Sequence, residues 1–198
     1  ATDLSFSYGE RVFTPDDLMA GRLPQTGPVV LYDDDNFYLA SVLAEVLVAK
    51  GLEVHFVSSD DTIAGWTANT LDYRHIQKRL RKLGVHLYTG KTLGQFDGDT
   101  VRLDCVWSDD THTLPATSLV TVSMRLPNDG LYQDLLAREG GWAAAGIGGV
   151  QCIGDALAPG LIVHAVYAGH RFAREFEAAP GENGDGDGVP FKRIRHRF

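Results

Sequence analysis

Three consecutive carboxylates, Asp33, Asp34 and Asp35, interrupt the stretch VVLYDDDNFYLASVLAEVLVAKGLEVHFVSS, residues 29–59. They stand where an apolar strand gives way to a helix. A dinucleotide-binding loop has glycines at that place, so that the backbone can approach a pyrophosphate and present N–H groups at the helix N-terminus. Anionic side chains do the opposite. At ~4 Å and an effective dielectric near 20, each like-charge contact with a phosphate costs about 4 kcal/mol before screening. Dinucleotide binding at this loop is therefore disfavoured. Helix capping is the simpler use for the same residues: acids near a helix N-terminus stabilise it by roughly 0.3–1 kcal/mol each, and Asp35 or Asn36 would serve as the N-cap.

Paired acids after a first strand also resemble the magnesium site of response-regulator receiver domains. That chemistry needs a phosphoacceptor carboxylate at the end of the third strand. Here that strand, Val85–Tyr88, runs into Thr89, Gly90 and Lys91, and the likeness fails. Asp60 and Asp61, after Ser58 and Ser59, lie a little past the position from which an acid binds ribose hydroxyls in a nicotinamide domain. The more specific signal is VQCIGDALAPG, residues 150–160. A buried strand would deliver Gly154, Asp155 and Ala156 just ahead of a helix opened by Pro159. Gly154 lets a ligand come close, and Asp155 can accept hydrogen bonds from sugar hydroxyls; alternatively, Asp155 only caps its loop. The seven histidines show no metal-type pairing. Asp185 and Asp187 lack the later ligands of a calcium loop, and no GxSxG, HExxH or Walker pattern is present.

The elements that must position these residues follow from periodicity. Val29–Tyr32 and Val54–Val57 are apolar runs expected as strands covered on both faces. Between them, Phe37–Lys50 reads as a helix with Leu39, Val42, Leu43, Val46 and Leu47 inward and Gly51 as its stop. Asp72–Leu83 is a second helix, with Ile76, Leu80 and Leu83 as its apolar stripe and Arg74, Lys78, Arg79, Arg81 and Lys82 as its wet side. Val85–Tyr88 is a third strand. Thr92–Phe96, Val101–Trp107 and Thr111–Leu114 alternate in character and are separated by DGD and SDD turns, as in an antiparallel meander. Ser118–Ser123 returns to the main sheet. Leu131–Arg138 is helical, Val150–Ile153 is a further strand, and a long helix runs from about Pro159 to Glu177. Residues 1–27 read as a connecting segment with one helical turn at Pro15–Met19, capped by Thr14.

A formal net charge of -8 argues against general affinity for nucleic acid or anionic membrane. No apolar run approaches the ~20 residues needed to span a bilayer. Cys105 and Cys152 form no CxxC pair and indicate neither a zinc nor an iron–sulfur site. One disulfide between them is open, but reduced thiols and a cytoplasmic location are the expectation.

In order and spacing, RVFTPDDLMAG, the aspartate unit, LDYRHIQKRLRKLGVHLYTG, the meander, SLVTVSMRLPND and GGWAAAGIGGVQCIGDALAPGLIVHAVYAGHRFAREF resemble the C-terminal half of the trimethylamine dehydrogenase and 2,4-dienoyl-CoA reductase family, which is related to old yellow enzyme. The resemblance implies an α/β fold: a Rossmann-like three-layer domain with a parallel sheet and an antiparallel meander, NAD(P)/FAD-binding-like and of the glutathione-reductase type, as a fragment of a larger chain. It implies a linker from an upstream domain at 1–27, a degenerate NAD-like domain at 28–125, a segment closing an FAD- or ADP-binding-like domain at 126–179 and a flexible tail at 180–198. Such an enzyme holds FMN and a 4Fe-4S cluster in an upstream flavin barrel, and ADP or FAD in the next domain. It oxidises a methylated amine and passes electrons to an acceptor. Gly154, Asp155 and Ala156 match the family's second nucleotide-contact motif. The segment itself would be structural or nucleotide-binding, with no catalytic residue, no metal ligand and no tightly bound cofactor. Its partners would be the upstream barrel, an electron-transfer protein and copies of itself. The alternative is a stand-alone, non-catalytic Rossmann-like binding or docking module.

Overall fold

In the computed structural model, which describes residues 10–176, the chain divides after Met124 into two compact units. The first begins with β1 (Val12–Phe13) and α1 (Pro15–Met19), followed by β2 (Val29–Asp33), α2 (Leu39–Ala49), β3 (Val54–Ser58), α3 (Tyr73–Lys82) and β4 (His86–Tyr88). Strands β5 (Lys91–Phe96), β6 (Thr100–Cys105) and β7 (Thr111–Pro115) form an antiparallel sheet, and β8 (Ser118–Val122) rejoins the first sheet. That sheet is wholly parallel, in the order β1-β8-β2-β3-β4.

Residue type explains this arrangement. A parallel sheet joined by helical crossovers is covered on both faces, so its inner strands are apolar throughout. Every residue of β2 and β3 is buried. Alternation sends Val29, Leu31, Val54 and Phe56 toward α2 and α3, where Leu43, Leu47 and Leu80 meet them. It sends Val30, Tyr32 and Val57 to the opposite face, against Leu93, Phe96 and Leu103 of the meander. The first unit therefore has helices on one face of the parallel sheet and a small antiparallel sheet on the other. At about 1.5–3 kcal/mol for each large apolar side chain fully removed from water, the two cores are its main source of stability.

Three local readings change in the first unit. Residues 12–27 do more than connect: Val12–Phe13 pairs with Leu119–Val120 as an edge strand, and Phe13 and Leu18 join the core. The turn at Pro15–Met19 is capped by Thr14 as expected, with Thr14 Oγ1 accepting from the Asp17 N–H and Asp17 Oδ2 accepting from the Thr14 N–H. Helix α2 starts at Leu39 behind Tyr38, so neither Asp35 nor Asn36 is its N-cap. Its buried stripe is Ala40, Leu43, Ala44 and Leu47, small residues alternating with leucines that let the helix sit close on the sheet, whereas Val42 and Val46 face outward.

The second unit holds α4 (Gly130–Leu136), two short 3-10 turns at Glu139–Gly141 and Gly154–Ala156, and α5 (Ile162–Glu175). The expected strand at residues 150–153 is absent: these residues have no strand partner, and a strand without a ladder has no hydrogen bonds to hold it. The expected tail, 180–198, lies outside the described residues.

Leu71 closes the 3-10 segment Gly65–Thr70 with φ 67°, and its side chain is exposed. A Cβ in the left-handed region costs roughly 1–2 kcal/mol, which no buried contact offsets here. Leu71→Gly removes that strain and adds chain entropy to the unfolded state. It is expected to stabilise the protein by about 0.5–1 kcal/mol, read as a higher denaturation midpoint in urea. A loss of stability would mean that the exposed leucine contributes packing.

Candidate functional site

The carboxyl ends of parallel strands are where such sheets receive ligands, and the aspartate loop lies there. Asp33, the last residue of β2, is fully buried on the helix-facing side. Its Oδ1 accepts hydrogen bonds from the N–H groups of Asp35 and Asn36, both at 3.1 Å. The N–H of Asp34 donates to the carbonyl of Val122 at the end of β8. Three successive loop N–H groups are thus engaged within the protein, and none of them faces outward for a phosphate. Asn36 takes φ 54°, a conformation that asparagine tolerates better than most residues. Its Oδ1 accepts from Ser58 Oγ at the end of β3 (2.8 Å), and its carbonyl accepts from the Trp66 N–H. Ser59 Oγ donates to Asp34 Oδ1. The loops after β2 and β3 are therefore tied to each other where a nucleotide would lie between them. Asp34, Asp35, Asp60 and Asp61 are exposed around this closed rim.

Burial drives the Asp33 carboxyl up to about 7, against the two N–H donors that lower it; the neighbouring Asp35 and Asp34 add to the rise. Its Oδ2 is buried without a hydrogen-bond partner. The acid is thus half-protonated near neutrality rather than a fixed anion. Ser58 and Asn36 as ties were not visible from sequence pattern, because each partner comes from a different strand end.

A second cluster was also hidden. The parallel register pairs His55 with His86 across β3 and β4. Their rings stack at 5.0 Å, and the two Nε2 atoms lie 3.4 and 3.5 Å from the same Glu53 Oε1. His55 Nδ1 lies 3.3 Å from the Tyr88 hydroxyl, and burial holds the His55 imidazole below the usual range. A separation of 31 residues (86 − 55) conceals this pair from any spacing rule. Among the described residues no group of three or more His, Cys, Asp or Glu is placed to hold a metal ion.

In the second unit, Gly154 opens a 3-10 turn with φ 60°, and a Cβ there would lie 3.7 Å from that of Ala165 in α5. The backbone conformation, more than lack of space, favours glycine. Asp155 is exposed, and its Oδ1 accepts from the Gly160 N–H at 3.2 Å. Ala156 is half-buried. The carboxylate thus closes the loop that leads into α5, while the turn stays at the surface.

The family pattern described as "OYE-like second alpha/beta domain" matches residues 13–119, from β1 into β8. The chain belongs to this family. Among solved structures it is similar to histamine dehydrogenase from Rhizobium sp. 4-9, with 38% identity and a TM-score of 0.84 over 94% of this chain and 28% of that one. It is also similar to 6-hydroxypseudooxynicotine amine oxidase from Pseudomonas geniculata N1, with 30% identity and a TM-score of 0.78 over 89% of this chain and 25% of that one. Dimethylamine dehydrogenase from Hyphomicrobium sp. (strain x) is 28% identical over 200 residues, which is 92% of this chain and 26% of that protein. The chain spans about a quarter of the length of these relatives. No helix among the described residues is long and apolar enough to cross a membrane.

The Asp33 shift predicts a pH signature. A folded value of about 7, above the ordinary 3.8, means that the folded protein holds a proton that the unfolded chain has released between those values. Stability contributed at this position therefore falls as pH rises through that window and is lowest above pH 7, by about 4 kcal/mol at most. Asp33→Asn keeps an oxygen for the two N–H groups and removes the titration. Urea unfolding at pH 5 and pH 8 is expected to show the variant gaining on the wild type by 1–3 kcal/mol toward the higher pH (about 1.4 kcal/mol per pH unit of linkage). Parallel profiles would show that Asp33 does not titrate in this range.

Proposed function

We propose that this chain is the C-terminal, nucleotide-domain-like part of a flavin- and iron–sulfur-dependent amine dehydrogenase, and that it holds the enzyme together rather than performing its chemistry. In this reading the first unit is a Rossmann-like domain of the glutathione-reductase type whose nucleotide loop has been closed. The second unit is the segment that completes an ADP- or FAD-binding domain begun upstream. One observation carries the reading: no described residue of the second unit is buried, although α5 bears Ile162, Val163, Val166 and Tyr167. An apolar helix without a core of its own is built to be covered, and the relatives supply roughly three times as much additional chain from which the cover could come.

The residues present divide the implied cofactors. A 4Fe-4S cluster requires four thiolates, and Cys105 and Cys152, free and in different units, do not fit it. In this reading FMN and the cluster lie upstream, where the flavin would supply the two-electron oxidation of the amine. Gly154, Asp155 and Ala156 do fit a nucleotide: a left-handed glycine allows close approach, and an exposed carboxylate beside a helix start can accept from ribose hydroxyls. The contribution of this chain is to bind and orient that nucleotide.

The full-length protein, purified and mixed anaerobically with dimethylamine, trimethylamine or histamine, is expected to bleach its flavin absorbance with at least one of them. Absence of flavin, or no bleaching with any amine, would favour a stand-alone docking module instead. In calorimetric titration of the same protein, Asp155→Ala is expected to weaken ADP at least about tenfold, a loss of about 1.4 kcal/mol. Unchanged ADP affinity would remove Asp155 from the site.

A further inference from the structure

Strand β4 is held to the parallel sheet by three register pairs with β3, and its other side has no strand partner among the described residues. The first of those pairs is His55 with His86, whose stacked imidazoles both point Nε2 at the single carboxylate of Glu53. Water reaches the three groups unequally. The His55 side chain is 7% exposed, whereas those of His86 and Glu53 are 53% and 56% exposed. His55 Nε2 is buried 3.4 Å from Glu53 Oε1 without a hydrogen-bond partner. One carboxylate thus serves two imidazoles, a side chain that in water takes up a proton at about pH 6.5. Alternation puts Tyr32 of β2, Tyr88 of β4, Lys91 of β5, Cys105 of β6 and His112 of β7 on the same side, between the two sheets. Tyr88 reaches His55 Nδ1 at 3.3 Å, and its ring lies 5.9 Å from that of His112. None of these five is a carboxylate, so a second positive charge at the pair meets no second anion from them.

We propose that Glu53, His55 and His86 form a proton-operated latch on the β3–β4 edge, closed by one proton and opened by two. The first proton goes to His86, the imidazole that water reaches, and makes an ion pair that ties β4 to the residue preceding β3. The second has to enter a site with little water, beside a charged ring 5.0 Å away. Burial already holds the His55 imidazole below its usual range; Glu53 opposes that fall and His86 adds to it. The sign of the effect follows. A folded value below the unfolded one means that the opened chain binds more protons than the closed one. The stability that His55 contributes is therefore complete above about pH 6.5 and is lost as pH falls through the folded value. Opening β4 alone relieves the buried charge, because β4 is paired on one side while β2 is paired on both. The latch lies within the first unit and is independent of the amine dehydrogenase reading.

The test is hydrogen–deuterium exchange of the full-length protein, read by mass spectrometry from about pH 8 to about pH 5 and corrected for the intrinsic pH dependence of amide exchange. Peptides covering β4 are expected to lose protection at least about tenfold toward the acid end, while those covering β2 keep theirs. Glu53→Gln removes the carboxylate, so one proton suffices and the opening midpoint should rise by at least about half a pH unit. His86→Gln removes the competing charge and leaves Glu53 to His55 alone, so the midpoint should fall by at least about half a pH unit. Both side chains are exposed and outside the two cores, and a merely structural role would move the two variants in the same direction. Protection of β4 that does not change with pH overturns the proposal. So does loss of protection in β2 at the same pH as in β4, or variants whose midpoints stay put or shift with the same sign.

Discussion

Strand β2 is buried on both faces and paired on both edges, and the first unit is organised around that fact. It lies between β3 and β8 with five residues in register on each side. Its odd-numbered residues face one core and its even-numbered residues face the other. A strand so placed has no wet side, so its sequence is apolar until its last residue. That residue is Asp33. A carboxyl at the end of a doubly covered strand must find donors nearby or stay protonated, and it does part of each. One oxygen takes the next two available N–H groups of the chain, and the other has no partner.

The shape of the loop follows from this. The N–H groups that Asp33 accepts are those that a glycine-rich loop would point at a phosphate. With a third donated to Val122, the strand end becomes self-sufficient. Asn36 adds a second constraint: its left-handed backbone turns its side chain to Ser58 and its carbonyl to Trp66, joining the β2 end to the β3 end and to the segment beyond it. The loop is closed by internal satisfaction of its polar groups rather than by charge repulsion alone. Each N–H offered to a ligand would first have to give up a partner, at roughly 1 kcal/mol or more per bond.

Most of the first unit was legible because two-sided burial leaves continuous apolar runs and helices leave a 3.6-residue period. Residues 29–33, 54–58 and 118–122 and α3 carry one of these signals strongly, and the meander carries the two-residue alternation of strands with one covered face. The misreadings have physical causes. Strand β1 is two residues long and is defined by its partner β8, not by its own composition. Val42 and Val46 are as apolar as the leucines beside them, so hydrophobicity alone put them inward. The choice of face was made by Ala40 and Ala44, whose small size allows contact with the sheet. At the candidate site, the aspartates were visible but their engagement was not. Which N–H a carboxylate accepts depends on backbone dihedrals, and the pairing of His55 with His86 depends on register between strands.

The two units differ in what they need. In the first, large side chains such as Phe56, Leu47 and Phe96 are withdrawn from water, which gives it a core to oppose the entropy of ordering the chain. In the second, α5 is 14 residues long, a length at which an isolated helix is marginal in water. Its stabilisation has to come from a surface laid against its apolar side. Residues 150–153 lack the neighbours that would make them a strand, and Gly154–Asp155 sits between these two incomplete elements. A nucleotide contact placed there is only as well ordered as the surface that covers α5. The residue types at Gly154 and Asp155 can thus suit a ligand while their geometry depends on what is laid against α5.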